Sequence, residues 1–129
     1  MEKECNLIRK RFETLVAVPN KLPSFYDNQK FDKPNNTYYA KISILTGASA
    51  QVELGDGNKF RNPGVMVVQL FGPTGKGDAR HLQLIDKIKE NFRGVSIANI
   101  VFTSPSQFRV GTFEGEYQMN VNCPFYFDE

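Results

Sequence analysis

Tryptophan is absent from this chain of 129 residues, histidine occurs once and cysteine twice. Each scarcity closes off a class of protein. His81 has no second histidine and no cysteine at metal-ligand spacing, so a metal site has no support. Cys5 and Cys123 lack C-x-x-C spacing and are too few for a disulfide framework. Two reduced thiols in an intracellular protein are the expectation. No apolar run approaches the ~20 residues of a membrane helix. The first twenty residues mix acids with bases and lack the apolar centre of a signal peptide. Basic charge is not concentrated either. Sixteen Lys and Arg are scattered among fourteen acids, for a net charge of +2. A nucleic-acid binder gathers such charge on one face. The densest run, Arg9-Lys10-Arg11, has Glu2, Glu4 and Glu13 around it and reads as a solvated helix face. No membrane and no specific nucleic acid is therefore expected as a partner.

The residues of catalysis are equally thin. No serine sits in a G-x-S-x-G elbow. A nucleophile needs a base and an orienting group, and only Cys5 or Cys123 reaching His81 would supply the start of one. Cys123 falls on the apolar side of its segment, where an inert buried thiol is expected. Glu53, Asp56, Asp78, Glu114 and Glu116 lie in turns or at element ends, where capping and solubility account for them. The chain is expected to be no enzyme and to need no cofactor.

What the chain does contain is core material: 40% hydrophobic residues, with eleven Phe and five Tyr. A chain this long suits one domain, spanning 1–129, with about two-thirds of its unfolded surface buried. Residues 2–17 read as a helix, with Ile8, Phe12, Leu15 and Val16 on one face and Pro19 and Pro23 beyond it. Ser24–Phe31 is a candidate short strand, followed by a turn at Pro34, Asn35 and Asn36. Tyr38–Leu45 and Ser49–Leu54 alternate as strands, with a turn at Gly55-Asp56-Gly57-Asn58. Lys59–Phe71 reads as a strand, bulged near Pro63-Gly64 and apolar on both faces in its second half, hence central. A helix follows from about Asp78 to Arg93, its stripe being His81, Leu84, Ile85, Ile88 and Phe92, with Gly94 as its stop. Val95–Thr103 reads as one strand, Gln107–Val110 as a brief pairing segment, and Gly111–Gly115 as a turn. Glu116–Phe127 alternates most regularly. Tyr117, Met119, Val121, Cys123, Phe125 and Phe127 face a core, and Asn120 and Asn122 face the open side. Pro124 places the end of that strand at an edge or a bulge. The fold class expected is α+β: a mostly antiparallel β-sheet with two α-helices packed on one face.

The loop Gly72–Asp78 invites a phosphate-binding reading, which position counting removes. A phosphate loop needs G-x-x-x-x-G-K-[ST]. Asp78 follows Gly77 where lysine is required. The glycine that does precede a lysine, Gly75, has Leu70 five residues before it, and Gly77 in place of the hydroxyl. Asp78 suits the helix N-terminus, and its charge opposes a phosphate there.

Four segments in order resemble the tail terminator proteins of long-tailed bacteriophages and prophages: Phe31–Leu45, Leu54–Gly64, Val65–Phe92 and Tyr117–Glu129. The resemblance implies a structural virion protein of the tail, assembled in the host bacterial cytoplasm. Such a protein forms a ring, usually of six subunits, that caps the head-proximal end of the tail tube and stops its polymerisation. Its partners would be copies of itself, the tail tube protein and the head connector or head-completion protein. Candidate contact residues are Asp56, Asn58, Lys59, Arg61, Thr74, Lys76, Asn120 and Asn122, on interaction loops and an open sheet face. A head–tail joining or head-completion protein is the alternative within the virion. A nucleotide-binding protein using Gly72–Asp78 is the alternative from another class.

Overall fold

A computed structural model describes residues 1–34, 36–47, 50–51 and 60–129. Its elements are α1 (Glu2–Phe12), continued by a π-helical turn (Glu13–Ala17), then β1 (Ser24–Tyr26), β2 (Tyr39–Thr46), β3 (Ala50–Gln51) and β4 (Phe60–Pro73). These are followed by α2 (Ala79–Phe92), β5 (Ser96–Ile97), β6 (Ile100–Phe102), β7 (Ser106–Phe113) and β8 (Glu116–Asp128). The strands form one sheet in the order β1-β2-β4-β8-β6-β5, with β3 added to β4 and β7 added to β8. Among the described residues only β1 and β2 run parallel; the remaining pairs are antiparallel. The α+β architecture with both helices on one face of the sheet is as the sequence implies.

The axis of the molecule is the pair β4–β8. Arg61 to Pro73 register without a shift against Asp128 to Glu116. Alternation explains why this pair is central. Met66, Val68 and Leu70 lie opposite Cys123, Val121 and Met119, and all six are buried under the helices. The helices contribute Ile8, Phe12, Val16 and Ala17 from one side, and Leu84, Ile85, Ile88 and Phe92 from the other. Rings bridge the two layers: Phe12 to Phe92 at 6.3 Å, Phe92 to Phe102 at 5.1 Å, and Phe102 to Phe125 at 5.4 Å between centroids. On the opposite face, Gln69, Gln118, Asn120 and Asn122 stay half-buried.

Several local expectations change. The first helix does not hold α geometry to residue 17. The wider π turn brings Val16 and Ala17 to the core and leaves Leu15 exposed. Pro63-Gly64 carries no bulge toward β8, whose ladder passes through both residues in register, while the β2 ladder ends at Gly64. A glycine is needed there for another reason. A Cβ on Gly64 would lie 2.5 Å from the Phe125 ring and 2.9 Å from the Leu45 carbonyl. The bulge lies instead in β7, between Arg109 and Gly111, and Gly111 takes φ 111° there. Gly111 is thus within a strand, and the turn shrinks to Glu114-Gly115, both at positive φ. Such a two-residue loop matches the twist of a hairpin. Val95–Thr103 divides into β5 and β6 around Ala98, at φ 52°. Pro124 lies inside a central strand, not at its edge. Its carbonyl accepts from Thr103 N–H at 3.0 Å, so its missing donor faces the break between β6 and β7. Gly94, at φ 61°, ends α2 as a left-handed residue after the cap, as the sequence suggests. The turn at Gly55–Asn58 and most of Ser49–Leu54 lie outside the described residues.

Candidate interaction surfaces

The register of β4 and β8 sorts the candidate residues into three places. At one end of the pair, Arg61 faces Asp128. Its Nε and a terminal nitrogen donate to the two carboxylate oxygens at 2.9 and 3.1 Å. The guanidinium also lies 4.1 Å from the Tyr126 ring centroid. That fork fixes Arg61 and holds its pKa above the usual arginine value through the Asp128 hydrogen bond. Phe60 is exposed beside it, and its N–H and C=O pair with those of Glu129. At the other end, Pro73 faces Glu116, and the loop carrying Thr74 and Lys76 projects into solvent. The two ends are roughly 40 Å apart, at ~3.4 Å per residue of strand. Asn120 and Asn122 lie between them, on the open face. The five described candidates are therefore not one site. Asp56, Asn58 and Lys59 lie outside the described residues.

The loop end is organised by contacts across long sequence separations. Asp78 is the N-cap of α2, yet its side chain makes no capping hydrogen bond. Its carboxylate pairs with Arg109 at 2.6 Å, and Arg109 also donates to the Tyr117 hydroxyl at 2.8 Å. The expected role of Asp78 at the helix N-terminus is thus replaced by a tie to the β7 edge. These three residues line an open depression of about 330 Å³ with Pro73, Gly75, Gly77 and Thr112. A carboxylate in that position disfavours a phosphate, in agreement with the motif count.

His81 sits directly beneath the loop and is fully buried. Its Nε2 donates to the Tyr117 carbonyl at 3.1 Å, while Nδ1 has no partner. Tyr38 and Tyr117 meet its ring edge-on. Burial pulls its pKa below the ordinary value of 6.5, against the raising effects of the Tyr117 carbonyl and Asp78, so the ring is neutral in the fold. It is a core histidine. Cys123 is buried too, and burial pushes its thiol up to about 12, which makes it a poor nucleophile. Cys5 is half-buried and free.

A second network closes the open face near the loop end. Glu116 pairs with Lys33 at 2.6 Å and accepts a short hydrogen bond from the Tyr39 hydroxyl. Burial alone would raise the Glu116 pKa; Lys33, Tyr39 and Lys41 outweigh it and hold the carboxyl below its usual range. Tyr39 stacks on Phe71 at 4.9 Å, and Phe31 and Phe25 cover it. Lys41 places its ammonium 4.3 Å from the Phe31 centroid. Sequence reading missed this network, whose members run from Phe25 to Glu116; the only signal was the density of aromatics before Leu45. Arg11 departs from the solvated helix face expected of the Arg9-Lys10-Arg11 run. Its Nε donates to the Asn91 carbonyl at 2.8 Å, and its guanidinium lies over Phe92.

Among the described residues no group of His, Cys, Asp and Glu is placed to hold a metal, and no helix is long and apolar enough to cross a membrane. The geometry defines an α+β scaffold with polar ends and an exposed edge. The family model for phage tail terminator proteins matches residues 5–124, and the chain belongs to that family, a structural family of phage tail components. Among curated proteins none matches the sequence. A solved structure superposes with a TM-score of 0.66 at 21% identity, over 95% of this chain and 94% of its own. That likeness supports the fold.

Proposed function

We propose that the protein caps the head-proximal end of the tail tube as a ring of six subunits, stopping tube polymerisation and offering the head connector a surface. The observation that carries this reading is the family match over residues 5–124. The sheet is compatible with it. A cap needs one rim toward the tube and a different rim toward the head, held at a fixed distance. The unbroken β4–β8 register separates the Arg61–Asp128 end from the Thr74–Lys76 loop in that way. A rotational ring also needs two unlike lateral patches, and the α1–β1 and α2–β7 sides of this molecule differ in sequence. The partners on this reading are other copies, the tail tube protein and the head connector or head-completion protein.

The test is electron microscopy of tails assembled without the protein. Overlong, variable tubes are expected; tubes of normal length would reject the capping role. Antibody labelling of headless tails separates capping from head–tail joining. A label at the tube end before heads attach supports the cap, and a label only on heads supports the joining protein.

A further inference from the structure

The edges of the sheet are treated unequally. On the β1 side they are closed by the chain itself. Tyr26 N–H is taken by the Gln29 side-chain oxygen at 3.1 Å, and Ile44 N–H by the Asp27 carboxylate at 3.0 Å. Folded proteins close their edges in such ways because an open edge pairs with other chains. Strand β7 is not closed. Among the described residues it pairs with β8 alone, over Ser106–Phe113. It contains no proline and no lysine. Its one charge, Arg109, is engaged by Asp78. Three of its side chains, Phe108, Val110 and Phe113, are exposed at 51, 55 and 76%.

The direction of the free backbone groups follows from the ladder. Pro124 turns its carbonyl toward the β6–β7 side, so alternate residues of β8 from Glu116 to Asn122 do the same. Their partners Ser106, Phe108, Gly111 and Phe113 bond inward. Gln107, Arg109 and Thr112 turn their N–H and C=O outward. A partner for this edge must be an extended, uncharged strand of similar length. β5 and the described part of β3 have two residues each, and β1 has three and is capped. Within the described chain the edge that fits β7 is another β7.

We infer that β7 is a self-pairing edge, at which a second copy of this chain adds its own β7 antiparallel about a two-fold axis through the bulge. The bulge residue Val110 breaks the alternation of faces. Phe108 and Phe113 therefore share the open face, opposite Asn120 and Glu116, while Arg109 and Thr112 share the helix face. Centring the axis between Val110 and Gly111 sets Phe108 against Phe113 of the second copy, twice. It also sets Arg109 against Thr112, whose outward groups then exchange hydrogen bonds. No like charges meet, and the aromatic pairs are of the kind that stabilises a sheet. A shift of one residue sets open-face residues against helix-face residues and loses these pairs. Copies paired by a two-fold axis cannot stand side by side in a ring of one polarity, so the pair is the form of the protein away from the tail.

Sedimentation velocity of the full chain over rising concentration tests this. A two-subunit species is expected. Thr112→Pro removes an outward donor that the internal ladder does not use, and should weaken the pair at least about tenfold while circular dichroism stays unchanged. As a second test, chains carrying Phe108→Cys are mixed with chains carrying Phe113→Cys, both with Cys5→Ser. Oxidation should cross-link unlike chains, because facing Cβ atoms of such a pair lie within disulfide reach; either variant alone should not cross-link. A wild-type chain that stays monomeric overturns the inference, as does a Thr112→Pro chain that pairs as tightly, or like chains that cross-link as readily. A monomer that still sets tube length would overturn the pairing and leave the capping role standing.

Discussion

His81 shows how a single side chain ties the loop end to the core. The neutral ring donates one hydrogen bond, leaves Nδ1 unpartnered, and is closed in by two tyrosines. Its folded pKa is lowered by burial, so the unfolded chain binds the proton more readily. Stability therefore rises with pH across the interval between the folded value and the unfolded value of about 6.5, and is lost as pH falls through it. Urea midpoints from pH 7.5 to pH 5 should fall, and His81→Gln should flatten that slope while lowering the midpoint at pH 7.5. Equal slopes in both proteins would assign the pH dependence to other groups. Gly72 supports the same packing. A Cβ there would lie 2.6 Å from the Tyr38 ring and 2.7 Å from His81, so Gly72→Ala should cost about 1–3 kcal/mol by urea denaturation. None of these contacts was visible in the sequence. A histidine on an apolar stripe announces burial, but its tyrosine neighbours come from β8 and from the residue before β2.

At the scale of elements, legibility followed periodicity. The alternation from Tyr117 to Phe127 specified which residues of β8 meet the helices. The stripe from His81 to Phe92 specified the same for α2, because both patterns are local. Glycine was misread where its reason was not a turn. Gly111 serves a bulge and Gly64 the close approach of a ring, and neither partner is near in sequence. The apolar run Val95–Thr103 hid the reversal at Ala98, because no glycine or proline marks it. The join between the helices rests on rings, so Phe92→Ala should cost about 3–5 kcal/mol. Unfolding followed by tyrosine fluorescence and by far-ultraviolet dichroism should shift together. Separated transitions would mean that α1 and α2 are not one cooperative unit.

For the whole molecule, the described candidate residues fall at two ends and on a face, a division fixed by register and invisible in a linear list. If the ends meet different partners, reversing charge at each should have separable effects. Lys76→Glu and Arg61→Glu should each impair one attachment, tube capping or head joining, and spare the other. Complementation of a null phage, with tail length and head attachment scored separately, distinguishes this from a single shared surface, on which both substitutions would fail at both steps. The β4–β8 pair has one more property. Force that enters at Asp128 of β8 and leaves at the Thr74–Lys76 loop after β4 pulls the two antiparallel strands past each other, so the crosswise bonds of the ladder are loaded together in shear. The domain should therefore act as a stiff tensile link, strong along the line joining its ends and weak when peeled from the β7 side.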